Sequence, residues 1–292
     1  LIKQVATETS KLASRVNKIS LQGTGRQVVM GTIPEAVWTE MCANLNELDL
    51  GFNETEVDGY KVGGFFTVCN ATLEDSDANL ATELLTAIGQ SIGKALDKAI
   101  VYGKGTKMPL GIVTRLAQIT DPGTGTTERP WTDLHTSHIK AGTGATGIAL
   151  FKEIIKNKKL AKNDYFDQGI TWLMSQETHD ALIAESIDKN ASAAIVAGTN
   201  GTMPVIGGEI VELPFIPEGT IVFGYMDAYL LAERAGMQLG QSEHVKFLQD
   251  QTVFKGTARY DGKPVIAEAF AVISLTTAAP ATTVTFPTDT AN

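Results

Sequence analysis

The 292-residue sequence is poor in the features by which enzymes and binding proteins usually declare themselves. It has two cysteines, Cys42 and Cys69, neither in a Cys-x-x-Cys pair. That is too few for a disulfide scaffold, and free thiols are the expectation. No stretch approaches the ~18 consecutive apolar residues that cross a bilayer. The opening LIKQVATETS lacks a basic end followed by an apolar core, so it does not read as a signal peptide. It also lacks an initiator Met, which is compatible with a protease-generated start and with a segment cut from something longer.

Positive charge is scarce as well. Lys and Arg number 24 against 33 Asp and Glu, a formal net charge of −9. Nucleic-acid affinity rests largely on phosphate neutralisation, so this balance argues against sequence-specific DNA binding. The nearest basic run, Lys152, Lys156, Lys158, Lys159 and Lys162, falls on a predicted helix and reads as a solvated face. There are four histidines, His135, His138, His179 and His244. None completes a recognisable zinc spacing, and His179 with Asp180 is placed on a surface helix. No Gly-x-Ser-x-Gly elbow is present. The carboxylates Glu35, Glu40, Glu47, Asp49, Glu54, Glu56 and Asp58 are too dispersed for an acid/base pair. No cofactor, no metal and no catalytic group is expected.

Two glycine-rich loops weigh on the other side. Gly142-Thr143-Gly144-Ala145-Thr146-Gly147 matches the dinucleotide fingerprint letter for letter, and a helix follows it. The fingerprint also needs a buried strand immediately before it. Here the preceding text is the polar WTDLHTSHIKA, and the plainer reading is a loop with Thr146 or Gly147 near the helix cap. Gly103-Lys104-Gly105-Thr106-Lys107 echoes a phosphate loop but follows a helix and lacks the GxxxxGK[ST] spacing.

What is present is unusual in outline. Residues 1–27 read as a polar arm with too few large apolar groups to offset its own ordering entropy. Residues 28–68 read as a long β-hairpin whose strands, at ~3.3 Å per residue, reach roughly 60 Å. Such a hairpin needs a partner surface. Residues 77–102 form the clearest helix. Leu80, Leu84, Leu85, Ile88, Ile92, Leu96, Ala99 and Ile100 recur at helical spacing, Asp75, Ser76 and Asp77 supply the cap, and Gly103 ends it. Gly89 and Gly93 each cost about 1 kcal/mol relative to Ala, which is reasonable where another element packs closely. Further helices are predicted at 148–162 and 176–187. Strands are predicted in GITWLMS, VIGGEIVEL, TIVFGYMDAYLLAE, TVFKGTARYDG and VIAEAFAVISL. The Thr/Ala/Pro-rich 276–292 reads as a linker. The fold class is α+β, with mostly antiparallel strands.

Several segments, in order, resemble the major capsid proteins of tailed bacteriophages, which have the Hong Kong phage ninety-seven fold. They are Ala36-Val37-Trp38-Thr39-Glu40, FFTVCNATLEDS (65–76), ALDKAIVYGKGTKMPLGIV (95–113), Thr171-Trp172-Leu173-Met174-Ser175, VFGYMDAYLLAERAGM and KGTARYDGKPVIAEAFAVISL. The Gly-x-Gly-Thr-x-x-Pro-x-Gly-Ile text at 103–112 is the most specific of them, and collinearity over 28–275 carries the likeness.

The resemblance implies an N-terminal arm reaching a neighbour, and an extended loop at 28–68 with intersubunit contacts through Trp38, Glu40, Leu45, Leu48, Leu50 and Phe52. It implies a peripheral domain of 69–125 and 236–275, whose spine helix 77–102 packs through Leu84, Ile88, Gly89, Gly93 and Leu96. It implies an axial domain of 126–235 with its tip at 190–203, around Ala194, Gly198, Asn200 and Gly201. The expected protein is a virion shell subunit that assembles in the host cytoplasm into hexamers and pentamers. These enclose double-stranded DNA without reading its sequence, and no membrane is involved. Portal, scaffold, maturation protease and decoration protein are the partners such a shell implies. Some members cross-link their shells through a lysine on the extended loop. No lysine lies between Ile33 and Tyr60, so a non-covalent shell is expected. An encapsulin-like compartment shell is the second reading, and a nucleotide-dependent enzyme using the Gly142–Gly147 loop is a distant third.

Overall fold

The computed structural model describes residues 10–20, 25–30, 52–57, 59–74, 80–121, 131–163, 169–187, 201–203 and 206–287. The architecture is α+β, built on a four-stranded sheet, a five-stranded sheet and a separate two-stranded ribbon. The strands are β1 (Asn17–Ser20), β2 (Gly25–Met30), β3 (Phe52–Val57), β4 (Tyr60–Cys69), β5 (Ile139–Lys140), β6 (Thr171–Met174), β7 (Glu209–Glu212), β8 (Thr220–Gly224), β9 (Tyr229–Lys246), β10 (Gln251–Pro264) and β11 (Phe270–Ser274). The helices are α1 (Asn70–Glu74), α2 (Leu80–Tyr102), α3 (Ile112–Leu116), α4 (His135–His138), α5 (Gly147–Lys158) and α6 (Gln176–Ile187).

The four-stranded sheet runs β1-β9-β10-β4, with β1 parallel to β9 and the other pairs antiparallel. Its centre is a long β9–β10 hairpin. Strand β10 alternates buried and less buried residues along its whole length, because one face lies on the spine helix α2. That helix presents Ile88, Ile92, Leu96 and Ile100 to the core, as its 3.6-residue period requires. Its capping cluster at 75–77 lies outside the described residues.

The five-stranded sheet, β5-β11-β8-β6-β7, is buried on both faces. Trp172, Met174, Ile221, Phe223, Ala271 and Ile273 meet α5 and α6 through Leu150, Phe151, Ile154 and Leu182. Leu173, Val222, Phe270 and Val272 point the other way, into the core shared with α2. This explains why TWLM, TIVFG and FAVIS read as unbroken apolar runs and not as alternating ones. Strands β6 and β7 are parallel and joined through α6, a crossover unit that the sequence reading did not anticipate.

Several expectations are corrected. Strand β11, placed with 236–275 in the peripheral body, lies inside the five-stranded sheet, because FAVIS needs cover on both faces. Residues 229–235, placed with the axial body, begin β9 of the four-stranded sheet. The returning arm of the 28–68 hairpin divides in two. Strand β3 pairs with β2, while β4 pairs with β10. The arm residues 10–20 rest on their own subunit, with Leu12, Ala13 and Val16 buried in its core. The tail is a linker only in composition, since Val284 and Phe286 pack against the core. Lys98 stands over the Phe286 ring and donates to the Thr285 carbonyl.

Candidate assembly surfaces

The two glycine loops are structural. Gly103 and Gly111 leave no room for a Cβ, which would sit 2.1 Å from the Pro109 carbonyl oxygen and 2.3 Å from the Gly103 nitrogen respectively. The chain therefore folds back tightly at the end of α2, with Gly105 and Lys107 at positive φ. Leu110 N donates to Gly262 O, and the Tyr229 hydroxyl donates to Leu110 O at 3.0 Å. Burial pushes that hydroxyl well above its ordinary range. These demands account for the Gly-x-Gly-Thr-x-x-Pro-x-Gly text without any ligand.

The Gly142–Gly147 loop is occupied by the protein's own carboxylates. Gly147 N, at the start of α5, donates to Glu185 Oε2 at 2.6 Å, and Thr143 donates through both N and Oγ1 to Glu153. A phosphate would have to displace negative charge from the very position the helix dipole offers it. The strand before the loop, β5, has two residues and lies at the sheet edge. The loop does not fit a dinucleotide.

Among the described residues no group of three or more His, Cys, Asp or Glu could hold a metal ion, and no helix is long and apolar enough to cross a membrane. His179 was expected at the surface but points inward, with Nδ1 2.7 Å from Glu212 Oε1. His138 is buried, and desolvation lowers its pKa. Lys152 and Lys156 on α5 and Lys159 just beyond its end are exposed, while Lys162 pairs with Glu268 at 2.6 Å. Cys69 is free and exposed.

Of the residues proposed for subunit contacts, Trp38, Glu40, Leu45, Leu48 and Leu50 lie outside the described residues, as do Ala194, Gly198 and Asn200. Phe52 opens β3, opposite Met30. Gly201 stands at φ +60° and accepts a hydrogen bond from Ile210 N. On the spine helix Ile88, Gly89, Gly93 and Leu96 are buried and Leu84 is half-buried against the core. The closest approach involves a different glycine, Gly256 of β10. A Cβ there would come 2.2 Å from Ile88 Cγ2 and 2.8 Å from Leu239 Cδ2.

One surface escaped the sequence reading. At the far end of the β9–β10 hairpin, Val245, Phe247 and Leu248 are 71%, 74% and 93% exposed. Phe65 of β4 is also exposed. HVKFLQD lies between the predicted strands TIVFGYMDAYLLAE and TVFKGTARYDG, and nothing local says that it closes a long hairpin. Only the register of β9 on β10 places these side chains at the hairpin's turn, beside Asn70, whose N donates to Asp250 O. Exposed apolar side chains gathered at one turn are the kind of surface that a second chain covers.

The phage capsid family profile matches residues 2–275. The chain belongs to the phage capsid family. Comparison with curated proteins finds no match. Among solved structures, this capsid protein is similar to a capsid chain of the empty GTA particle, at TM-score 0.64 and 16% identity, covering 92% of this chain and 90% of that one. A chain from Mycobacterium phage Bobi gives TM-score 0.65 at 12% identity, covering 91% and 90%. The virus-like particle from Pyrococcus furiosus gives TM-score 0.52 at 11% identity, covering 94% and 96%. At these identities the likeness shows the fold, which is that of Hong Kong phage ninety-seven capsids. The capsid protein is thus a structural shell subunit of a phage particle, and it associates with copies of itself.

Proposed function

We propose that this subunit forms the hexamers and pentamers of an icosahedral shell that encloses double-stranded DNA and is assembled in the host cytoplasm. The observation that carries this, beyond family membership, is the Val245, Phe247 and Leu248 tip, which is exposed among the described residues. A closed shell repeats one modest contact around rings until it is collectively strong. The loop around Trp38, Glu40, Leu45, Leu48, Leu50 and Phe52 supplies a second contact, and the 190–203 segment with Ala194, Gly198, Asn200 and Gly201 meets the ring axis. The net charge of −9 suits a wall that surrounds DNA without gripping it. A portal, a scaffold or maturation protease and a decoration protein complete the particle.

The compartment reading has one observation in its favour, the fold likeness to the Pyrococcus furiosus particle. Membership of the phage capsid family favours the virus instead. Electron microscopy of the purified protein tests both readings. Closed shells are expected, and co-purified DNA against packaged protein separates virus from compartment. Small discrete oligomers under assembly conditions overturn both.

A further inference from the structure

Two short chain crossings between the sheets run side by side. The link from β8 to β9 is the short 3-10 turn Met226–Ala228, and the link from β10 to β11 is Ala267–Ala269. Tyr225 N donates to Ala269 O and Val265 N donates to Ala228 O, so the two links are laced together. These laced links fix the line along which the two sheets meet. Residues 10–20 bridge the sheets at a distance from it.

Ser10 Oγ donates to Asp97 Oδ1 at 2.6 Å, Lys11 N to Oδ2 at 2.9 Å and Leu12 N to Oδ1 at 3.0 Å. Asp97 belongs to the spine helix and is 4% exposed. From this knot Lys11 Nζ reaches Glu212 O at 2.7 Å, and the Arg15 guanidinium pairs with Glu209. Both acceptors lie on β7, the edge strand, two strands beyond β8 where the chain crosses. At ~4.8 Å per strand that is a lever of about 10 Å. The segment then pairs with β9 as β1, in the other sheet.

We propose that residues 10–20 form a strap that sets the angle between the two sheets, with the Asp97 carboxylate as its releasable knot. Its consequence for the particle rests on the shell reading, since the angle between the sheets of each subunit sets the curvature of the wall. The knot is releasable because its donors are neutral. Lys11 and Arg15 direct their charges at β7, and Glu212 is shared with His179. Burial of Asp97 outweighs its hydrogen bonds and raises its pKa. A buried carboxylate whose hydrogen-bond donors are all neutral, with the Lys11 charge acting only through space, is an expensive anchor.

The test uses Ser10→Ala and Asp97→Asn in the full chain, read by hydrogen exchange and by electron microscopy of assembled particles. Each variant should speed exchange of the Lys11, Leu12 and Ala13 amides by about tenfold or more, with α2 and β10 amides unchanged. The particles should lose their single diameter. Unchanged exchange in both variants removes Asp97 as the knot. Faster exchange with shells of wild-type diameter removes the strap as the brace. If Asp97→Asn does not fold, Ser10→Ala decides alone, since it deletes one hydroxyl. Failure of the wild type to form shells would overturn the shell reading. The exchange result, taken on subunits, judges the knot independently.

Discussion

Replacing Phe247 and Leu248 together by serine separates folding from assembly more cleanly than any other change. Both side chains already face water in the subunit, at 74% and 93% exposure. Their loss should therefore shift the unfolding of isolated subunits by no more than about 0.5 kcal/mol. Assembly is different. Complete burial of two such side chains contributes about 3–6 kcal/mol. A shell contact that covers only half of that surface still draws about 2 kcal/mol from them, a factor of roughly thirty in each association constant. Because every subunit repeats the contact, the concentration at which shells appear should rise by at least that factor. Thermal unfolding under dissociating conditions gives the first quantity. Sedimentation with negative-stain microscopy over a concentration series gives the second. A double variant that assembles at the wild-type threshold would show that the tip touches no neighbour, and an unfolding midpoint several degrees lower would show that its side chains support the subunit after all.

Gly256→Ala should destabilise the subunit by about 1–3 kcal/mol, because the new methyl must push Ile88 and the spine helix off the sheet; a urea midpoint equal to wild type refutes that packing. Replacing Trp38, or deleting 40–56, should impair assembly more than subunit folding, and a deletion variant that forms normal shells removes the loop from the contact. With no lysine between Ile33 and Tyr60, boiled shells should run in denaturing gels as 31.1 kDa single chains, and a ladder of multiples would contradict a non-covalent wall. Asp97 titrates with a definite sign. Its folded pKa is raised, so its contribution to stability is complete below about 3.8 and is lost as pH rises through the folded value. Lys11, Arg15, Glu209, Glu212 and His179 surround it and remain in both proteins, so Asp97→Asn removes this one slope. The urea-midpoint difference, variant minus wild type, should move in the variant's favour from pH 4 to pH 7. An unchanged difference refutes it.

Periodicity and local sterics were legible in the residues themselves. The 3.6-residue recurrence from Leu80 to Ile100 could only be a helix with one buried stripe, and TWLM, TIVFG and FAVIS lie in runs that read as strands. Gly103 marked the end of that helix, and collinear text was enough to suggest the family. All of these are properties of neighbours in sequence, where bonding geometry acts within a few residues.

Tertiary structure alone decided which strand joins which sheet. FAVIS and TVFKGTARYDG read alike as strands, yet one is buried on both faces and the other on one, and only the elements packed against each could say so. The same holds for the strap and the tip. Ser10 finds Asp97 across 87 residues of chain, and Val245, Phe247 and Leu248 are exposed at the turn between β9 and β10. Burial is a relation among distant segments, so a residue's own identity sets what burying it is worth but not whether it is buried.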